Sequence, residues 1–157
     1  MKSMQIKAPM ALLLATGILM TTACAAVAQP PPDGALSPGA QAGPAPAGAP
    51  AAVRKPMFDT PLEGLPGHTG VMYVTDIPPG AYAARHQHPG YEFNYILKGE
   101  VTFMVDGRAP FTLKAGEGTY NPKNRVHAVK NASATEPAQL VAVLIHDTGK
   151  PLAIPMP

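Results

Sequence analysis

A short segment of this sequence, residues 80–99, places two histidines one residue apart and a carboxylate four positions after the second histidine. Successive side chains of an extended strand point to opposite faces, so His86 and His88 project from the same face. The Pro-Gly pair that follows predicts a turn, which brings Glu92 back toward the two imidazoles. This hairpin therefore offers three ligands to one divalent metal ion. Imidazole and carboxylate without a thiolate suit iron, manganese, nickel, copper or zinc, and the sequence does not choose among them.

A second segment, residues 116–131, contributes His127 as a fourth available ligand. Together the two segments resemble the two motifs of the cupin superfamily. The first motif (glycine, five residues, His-x-His, three residues, Glu, six residues, glycine) is matched at Gly80, His86, His88, Glu92 and Gly99. The second (glycine, five residues, Pro-x-Gly, two residues, His, three residues, Asn) is matched at Gly116, Pro122, His127 and Asn131. Carried over position by position, the resemblance implies the metal ligands His86, His88, Glu92 and His127.

The second motif departs from the family at one position, where Asn124 replaces the usual glycine. The departure is mild, because asparagine tolerates the left-handed backbone conformation better than other ordinary residues. The nine matched positions cover the core of the predicted domain.

A polar cluster satisfied by hydrogen bonds is the alternative to a metal site. Three imidazoles and a carboxylate that converge inside a barrel would be costly to bury without an ion, so we expect a metal. His68 and His146 lie outside the motifs and are expected to be structural or surface residues. Asn94 shares the ligand face with Glu92, where it could bind a ligand or a metal-bound water, or else hydrogen-bond to Glu92 or to the backbone.

From about Met57 onward, short apolar runs alternate with turn residues, and no stretch has a sustained helical period. This pattern predicts an all-β domain over residues 57–157. Strands are expected near 71–77, 82–88, 92–97, 101–105, 110–114, 118–120, 126–129 and 140–145. Eight short strands fit a single small double-stranded β-helix barrel with the jelly-roll architecture, and the cupin resemblance implies the same fold.

Residues 1–28 have the features of an export signal. A basic start precedes an apolar run at 8–20, and Ala28 ends a small-x-small cleavage site. The apolar run is too short to anchor the chain in a bilayer. Cys24 leaves a lipoprotein alternative open, but Thr21 stands where a bacterial lipobox normally has an aliphatic residue. We therefore expect a periplasmic or secreted protein with no membrane attachment in its mature form.

Cleavage after Ala28 would remove two lysines and no acidic residue, so the twelve basic side chains become ten, equal to the ten acidic ones. The mature chain would carry no net charge, which gives no reason to expect a nucleic-acid partner. It would also lose the single cysteine, so disulfides and thiol chemistry are not expected. Residues 29–56 are rich in proline, alanine and glycine and predict a disordered linker.

The strand expected near 92–97 carries more apolar surface than a half-buried strand needs, because Phe93, Tyr95 and Leu97 point away from the ligand face. The strand expected near 140–145 is aliphatic on both faces. A strand of this kind is covered on both sides. Either residues 57–65 or a second subunit could provide the cover. We expect a homodimer, because an exposed patch of this composition is an aggregation liability.

The motifs predict a fold and a metal site but do not select a reaction. One hypothesis is an exported metal-dependent enzyme, most similar to quercetin-dioxygenase-like oxygenases, that acts on a small enol, phenol or carboxylate. The resemblance implies that Glu92 then serves both as a ligand and as a catalytic base. The alternative hypothesis is a binding or sensor module that captures a small molecule without turnover.

Overall fold

Two antiparallel five-stranded sheets face each other in the computed structural model, which describes residues 47–157. The strand order is β1-β2-β9-β4-β7 in the first sheet and β10-β3-β8-β5-β6 in the second. The strands are β1 (Val53–Pro61), β2 (His68–Ile77), β3 (Tyr82–Gln87), β4 (Gly90–Lys98), β5 (Glu100–Val105), β6 (Phe111–Lys114), β7 (Gly118–Asn121), β8 (His127–Asn131), β9 (Ala138–Asp147) and β10 (Ile154–Pro155). This is the all-β, double-stranded β-helix architecture expected from the sequence.

Each of the eight predicted strands is present, as β2 to β9, with ends that differ by a few residues. Strands β1 and β10 were not predicted. β1 begins at Val53, inside the range 29–56 assigned to the linker, so the ordered domain starts before the predicted boundary at residue 57. Every residue of β1 is exposed. The sequence of β1 therefore lacks the apolar alternation that would identify a strand. Its backbone pairing with β2 holds it in place.

The predicted signal peptide, its cleavage after Ala28 and the lipoprotein alternative at Cys24 lie outside the described residues. Within residues 47–157, no helix is long and apolar enough to cross a membrane.

The core lies between the sheets and follows the two-residue period of the strands. Buried residues alternate with half-buried ones along all of β9, and with exposed ones along β4 as far as Leu97. The largest fully buried apolar side chains are Phe103, Ile96, Leu144 and Val101.

The strand register brings the motif residues to the inner surfaces of both sheets. In the second sheet, His86 of β3 pairs with His127 of β8. In the first sheet, Glu92 of β4 lies opposite Asn121 of β7 on one side and Leu144 of β9 on the other. Residues far apart in the chain are therefore placed around one interior point.

The turn before β8 uses the left-handed conformation expected for Asn124, whose φ is 61°. Its backbone N–H donates to the carbonyl oxygen of His88 at 2.8 Å. The second motif thus ties directly to the loop that carries the first, and asparagine satisfies the backbone requirement that glycine meets elsewhere.

Close backbone packing at Gly90 leaves no room for a side chain. A Cβ there would lie 2.3 Å from the carbonyl oxygen of Ile145 and 2.4 Å from the Cα of His146. We expect Gly90→Ala to lower the free energy of unfolding by about 3 kcal/mol, because β4 and β9 would have to separate. Gly64→Ala is the matched control, since a Cβ at Gly64 meets nothing within 4 Å. Equal denaturant midpoints for the two variants would contradict this packing.

Candidate metal centre

Three imidazoles converge between the sheets, from the β3 strand, the loop that follows it and the start of β8. One ring nitrogen from each of His86, His88 and His127 lies within 4.8 Å of the other two. The ring centroids are 4.4 to 5.3 Å apart. His88 is 2 % exposed and His127 is 1 % exposed. The predicted convergence of these three residues is present.

Each of the three rings is oriented by a hydrogen bond to a backbone carbonyl. The Nδ1 atom of His86 is 2.7 Å from the oxygen of Ala84, and that of His127 is 3.0 Å from the oxygen of Arg125. The Nδ1 atom of His88 is 2.6 Å from the oxygen of Leu152. A carbonyl oxygen only accepts, so Nδ1 carries the proton and, in the neutral ring, Nε2 carries the free lone pair. Metal-binding histidines are typically held in this way.

The buried ring nitrogens fit a metal ion better than they fit a cluster satisfied by hydrogen bonds. The Nε2 atom of His88 is buried and has no hydrogen-bond partner among residues 47–157. A buried polar atom without a partner costs free energy, and a cation on its lone pair would remove that cost. Three neutral imidazole nitrogens beside a carboxylate are a suitable donor set for a divalent transition metal, whose identity the donors do not fix.

Glu92 lies beside this group, with its carboxylate buried and held on both oxygens. Oε1 accepts a hydrogen bond from the hydroxyl of Tyr73 at 3.2 Å, and Oε2 accepts one from Nδ2 of Asn121 at 2.8 Å. Oε1 is also 3.4 Å from Nε2 of His88, and Oε2 is 3.2 Å from Nε2 of His127. All four residues implied by the motifs are thus brought together.

The electrostatics of the group favour an ionised Glu92. Burial alone would raise the pKa of this carboxyl, but the adjacent His127 and His88 rings outweigh it and hold the pKa well below its ordinary value. Burial alone would lower the pKa of His127, yet Glu92 raises it on balance. Burial, together with the charge on His127, lowers the pKa of His86 to about 4, so this ring is neutral at neutral pH.

A cavity of about 410 Å³ opens beside the cluster. His86, Glu92 and His127 border it, together with Arg54 and Asn94, and most of the remaining wall is apolar. Asn94 is on the inner face as predicted, but its amide nitrogen has no partner in the described part of the chain, neither Glu92 nor the backbone. That donor is available to a ligand.

Sequence reasoning missed three residues that act on this site. Tyr73 and Asn121 hold Glu92, and Arg54 places its Cζ 5.3 Å from the centroid of the Tyr73 ring. Tyr73 shares the predicted strand 71–77 with other apolar residues, and Asn121 is a spacer position of the second motif, so neither had a distinguishing signal. Arg54 stood in a segment that the composition assigned to the linker.

The two histidines outside the motifs differ in environment. His146 is buried in β9, and neither of its ring nitrogens has a hydrogen-bond partner among residues 47–157. His68 is half-buried, with Nδ1 3.3 Å from the carbonyl oxygen of Pro66. Neither residue belongs to the three-histidine group.

Metal binding should be coupled to the protonation of His127. Because Glu92 raises the pKa of His127, the ring keeps a proton on Nε2 to higher pH than a free histidine, and a ligating nitrogen must lose it. Below the pKa of His127, we expect the binding of Zn²⁺ to release close to one proton. As the pH increases through that pKa, the proton release should fall and the affinity for Zn²⁺ should rise. Calorimetry in buffers of different ionisation enthalpy, from about pH 6 to about pH 8, measures both quantities.

A pair of histidine variants provides the control for that measurement. His88→Ala removes a member of the cluster and should weaken Zn²⁺ binding by at least about 100-fold, since loss of an outer partner alone costs up to about that factor. His68→Ala should bind as the unmodified chain does. Affinity that is independent of pH, or equal in the two variants, would rule out this centre.

The described domain is similar to known proteins over part of its length. Residues 73–144 match the family model for the cupin domain. The dimethylsulfoniopropionate lyase DddQ from Ruegeria pomeroyi is 38 % identical over 58 residues, which cover 37 % of this chain and 29 % of the lyase. The chain therefore spans less than a third of that relative. The crystal structure of the same lyase matches with a TM-score of 0.51 and 28 % identity, over 55 % of this chain and 43 % of the lyase.

More distant structures share the fold alone. A cupin-like protein from Thermotoga maritima has a TM-score of 0.56 at 22 % identity, over 67 % of this chain and 75 % of that protein. An uncharacterised protein with a double-stranded β-helix domain from Klebsiella pneumoniae has a TM-score of 0.55 at 23 % identity, over 68 % and 86 %. With two facing antiparallel sheets around the matched motif residues, the described domain is a double-stranded β-helix that is similar to cupin domains over residues 73–144.

Proposed function

We propose that this chain is a metal-dependent enzyme that acts on a small oxygen-bearing substrate, an enol, a phenol or a carboxylate. One observation carries the proposal: a buried, ionised Glu92 lies within 3.4 Å of two ring nitrogens of the three-histidine group and borders a cavity large enough for a small molecule. A site built for tight structural binding alone has no need of an adjoining cavity.

His86, His88 and His127 would hold the ion, and Glu92 would complete the set. Four protein ligands leave one or two positions of a five- or six-coordinate ion for a substrate oxygen. When bound, a divalent ion acts as a Lewis acid that lowers the pKa of that oxygen. The apolar wall excludes water and strengthens every charge interaction in the cavity.

Glu92 is the proposed proton acceptor, and its surroundings define what it can do. Its low pKa makes it a weak base, so it takes a proton only from a substrate group that has itself become acidic. Burial, followed by the charge of Glu92, raises the pKa of Tyr73, so its hydroxyl remains protonated and keeps donating to Oε1. Tyr73 and Asn121 thus fix the carboxylate in place while it gains or loses a proton.

Two reaction types use these residues. The proposal of an oxygenase rests on the ligand set, which suits the iron, nickel, manganese or copper that dioxygen chemistry needs. Lyase chemistry, in which the base removes a proton and a leaving group departs, is favoured by a specific observation: the matched relative is a lyase, 38 % identical over 58 residues. Lewis-acid chemistry of that kind does not need a redox-active ion.

Replacement of Glu92 separates an enzyme from a binding module. The chain, loaded in turn with iron, manganese, nickel, copper or zinc, should turn over at least one of a panel of flavonols, oxalate and dimethylsulfoniopropionate under air. Glu92→Gln removes the base but keeps the shape, and we expect it to lower kcat by about 100-fold or more. Product formation by chromatography and binding by calorimetry are the two measurements.

Glu117→Gln is the matched control, because Glu117 accepts a hydrogen bond from the backbone N–H of Lys114 in a turn away from the cavity. Its kcat should equal that of the unmodified chain. The enzyme proposal would be wrong if no panel compound were turned over and the unmodified chain and Glu92→Gln bound ligands equally well. The protein would then be a non-catalytic binding or sensor module.

We also propose a homodimer formed through the outer face of the first sheet. Phe93, Tyr95 and Leu97 of β4 are 47 %, 48 % and 43 % exposed on that face. The alternative cover for this patch is residues 57–65, which start in β1. The strands β2 and β9 lie between β1 and β4 in the sheet. This segment therefore leaves the patch open within the described residues, and a second copy remains the occupant that we favour.

Light scattering tests the dimer. The unmodified chain should have twice the mass of one subunit, and Tyr95→Glu, which places a charge in the patch, should have the mass of one. The control is Tyr82→Glu, a change of the same kind in β3, outside the patch, which should leave the mass doubled. A monomeric unmodified chain would contradict the assembly.

A further inference from the structure

An unpaired cation borders the same cavity. Arg54 lies in β1 opposite Thr75, an inward-facing residue of β2, and both line the cavity. No carboxylate within residues 47–157 forms an ion pair with Arg54. By contrast the next residue, Lys55, points to the outer face and pairs with Asp76.

The aromatic ring of Tyr73 helps to hold the Arg54 guanidinium, whose Cζ is 5.3 Å from the ring centroid. This contact orients the planar group without using any of its five N–H donors. A guanidinium with free donors at the edge of a cavity matches the two oxygens of a carboxylate, which it can bind with two parallel hydrogen bonds.

A second donor without a partner borders the cavity. Asn94 is 6 % exposed, and its amide nitrogen has no hydrogen-bond partner among the described residues. The same wall includes Ile77, Val129 and Leu140, which offer no acceptor from their side chains. A buried donor without a partner on a largely apolar wall favours a ligand that offers an acceptor, and the positive charge of Arg54 favours an anion.

The charges of the cavity place the two ends of such a ligand. The carboxylate of Glu92 is already held by Tyr73 and Asn121 and would repel a second carboxylate unless a cation lies between them. A metal at the three histidines would provide that cation, and Arg54 provides a second positive charge on the cavity wall. The cavity is thus suited to a molecule with one oxygen toward the histidines and a separate anionic group.

We propose that Arg54 is a specificity-determining residue that binds the carboxylate of a small anionic substrate whose other oxygen faces His86, His88 and His127. The position of the second oxygen rests on the proposed function. The placement of the carboxylate rests on Arg54 and Asn94 alone. The substrate class is therefore a small diacid, hydroxy acid or keto acid rather than a neutral phenol.

The test compares binding of diacids with binding of their monoamides to the zinc-loaded chain. Malonate, succinate and glutarate span a range of lengths, and each monoamide keeps one carboxylate for the metal while it loses the other. We expect at least one diacid to bind about 10-fold to 100-fold more tightly than its monoamide, the range expected of one charge-assisted contact. Calorimetry measures each dissociation constant.

Two adjacent residues of β1 provide variants with the same change of charge. In Arg54→Gln the preference for the diacid should disappear, whereas in Lys55→Gln it should remain. Arg54→Lys keeps the charge without the planar fork, so it should recover only part of the preference. Zinc content and thermal midpoint confirm that each variant is folded and loaded.

The outcomes separate this inference from the proposed function. If the preference for the diacid is absent in the unmodified chain, or is unchanged in Arg54→Gln, the assignment of Arg54 is wrong whether or not the protein is an enzyme. If the preference depends on Arg54 but no compound is turned over, the anion site stands and the protein is a binding module for anions.

Discussion

The centre of this domain depends on three hydrogen bonds from imidazole Nδ1 atoms to backbone carbonyls. Each fixes both the orientation of a ring and the nitrogen that carries its proton, so the Nε2 lone pairs are available in one place. Two of these bonds are local, because Ala84 and Arg125 each lie two residues before the histidine they orient. A strand that presents His86 or His127 inward therefore supplies its own orienting group.

Glu92 is subject to opposing requirements. Burial disfavours its charge, while Tyr73, Asn121 and the two nearby rings favour it, and the second set of effects prevails. The contacts that make the carboxylate a stable neighbour for a cation also make it a poor proton acceptor. Such a site is suited to substrates that become acidic through their own binding, rather than to substrates that need a strong base.

The sequence predicts the strands and the histidine cluster because both leave periodic marks. Alternation along β4 and β9 separates buried from exposed side chains, and the spacing of His86, His88 and His127 is fixed by the hairpin and the turn that carry them. The left-handed backbone of Asn124 could also be predicted, because a backbone angle is a local property.

What the sequence does not show depends on pairing rather than pattern. β1 has no buried residue, so its place at the edge of the sheet, and with it the position of Arg54, follows from pairing with β2 rather than from a buried face of its own. Leu152 acts through its carbonyl oxygen, which every residue has, so no side chain could identify it. No local pattern identifies the partners of Glu92 either, because Tyr73 and Asn121 are separated from it by 19 and 29 positions in the chain.

The bond between His88 and Leu152 joins residues 64 positions apart. Closing a loop of that length costs more entropy than the two local bonds do, and Leu152 follows all of the strands β1 to β9 in the chain. The ring of His88 therefore gains this orienting bond only when residues 152–155 lie beside β3, where Ile154 and Pro155 pair with Gln87 and His86. A domain without that segment in place would offer an ion two oriented imidazoles rather than three, so the order of this short C-terminal stretch and the completeness of the histidine set are one property.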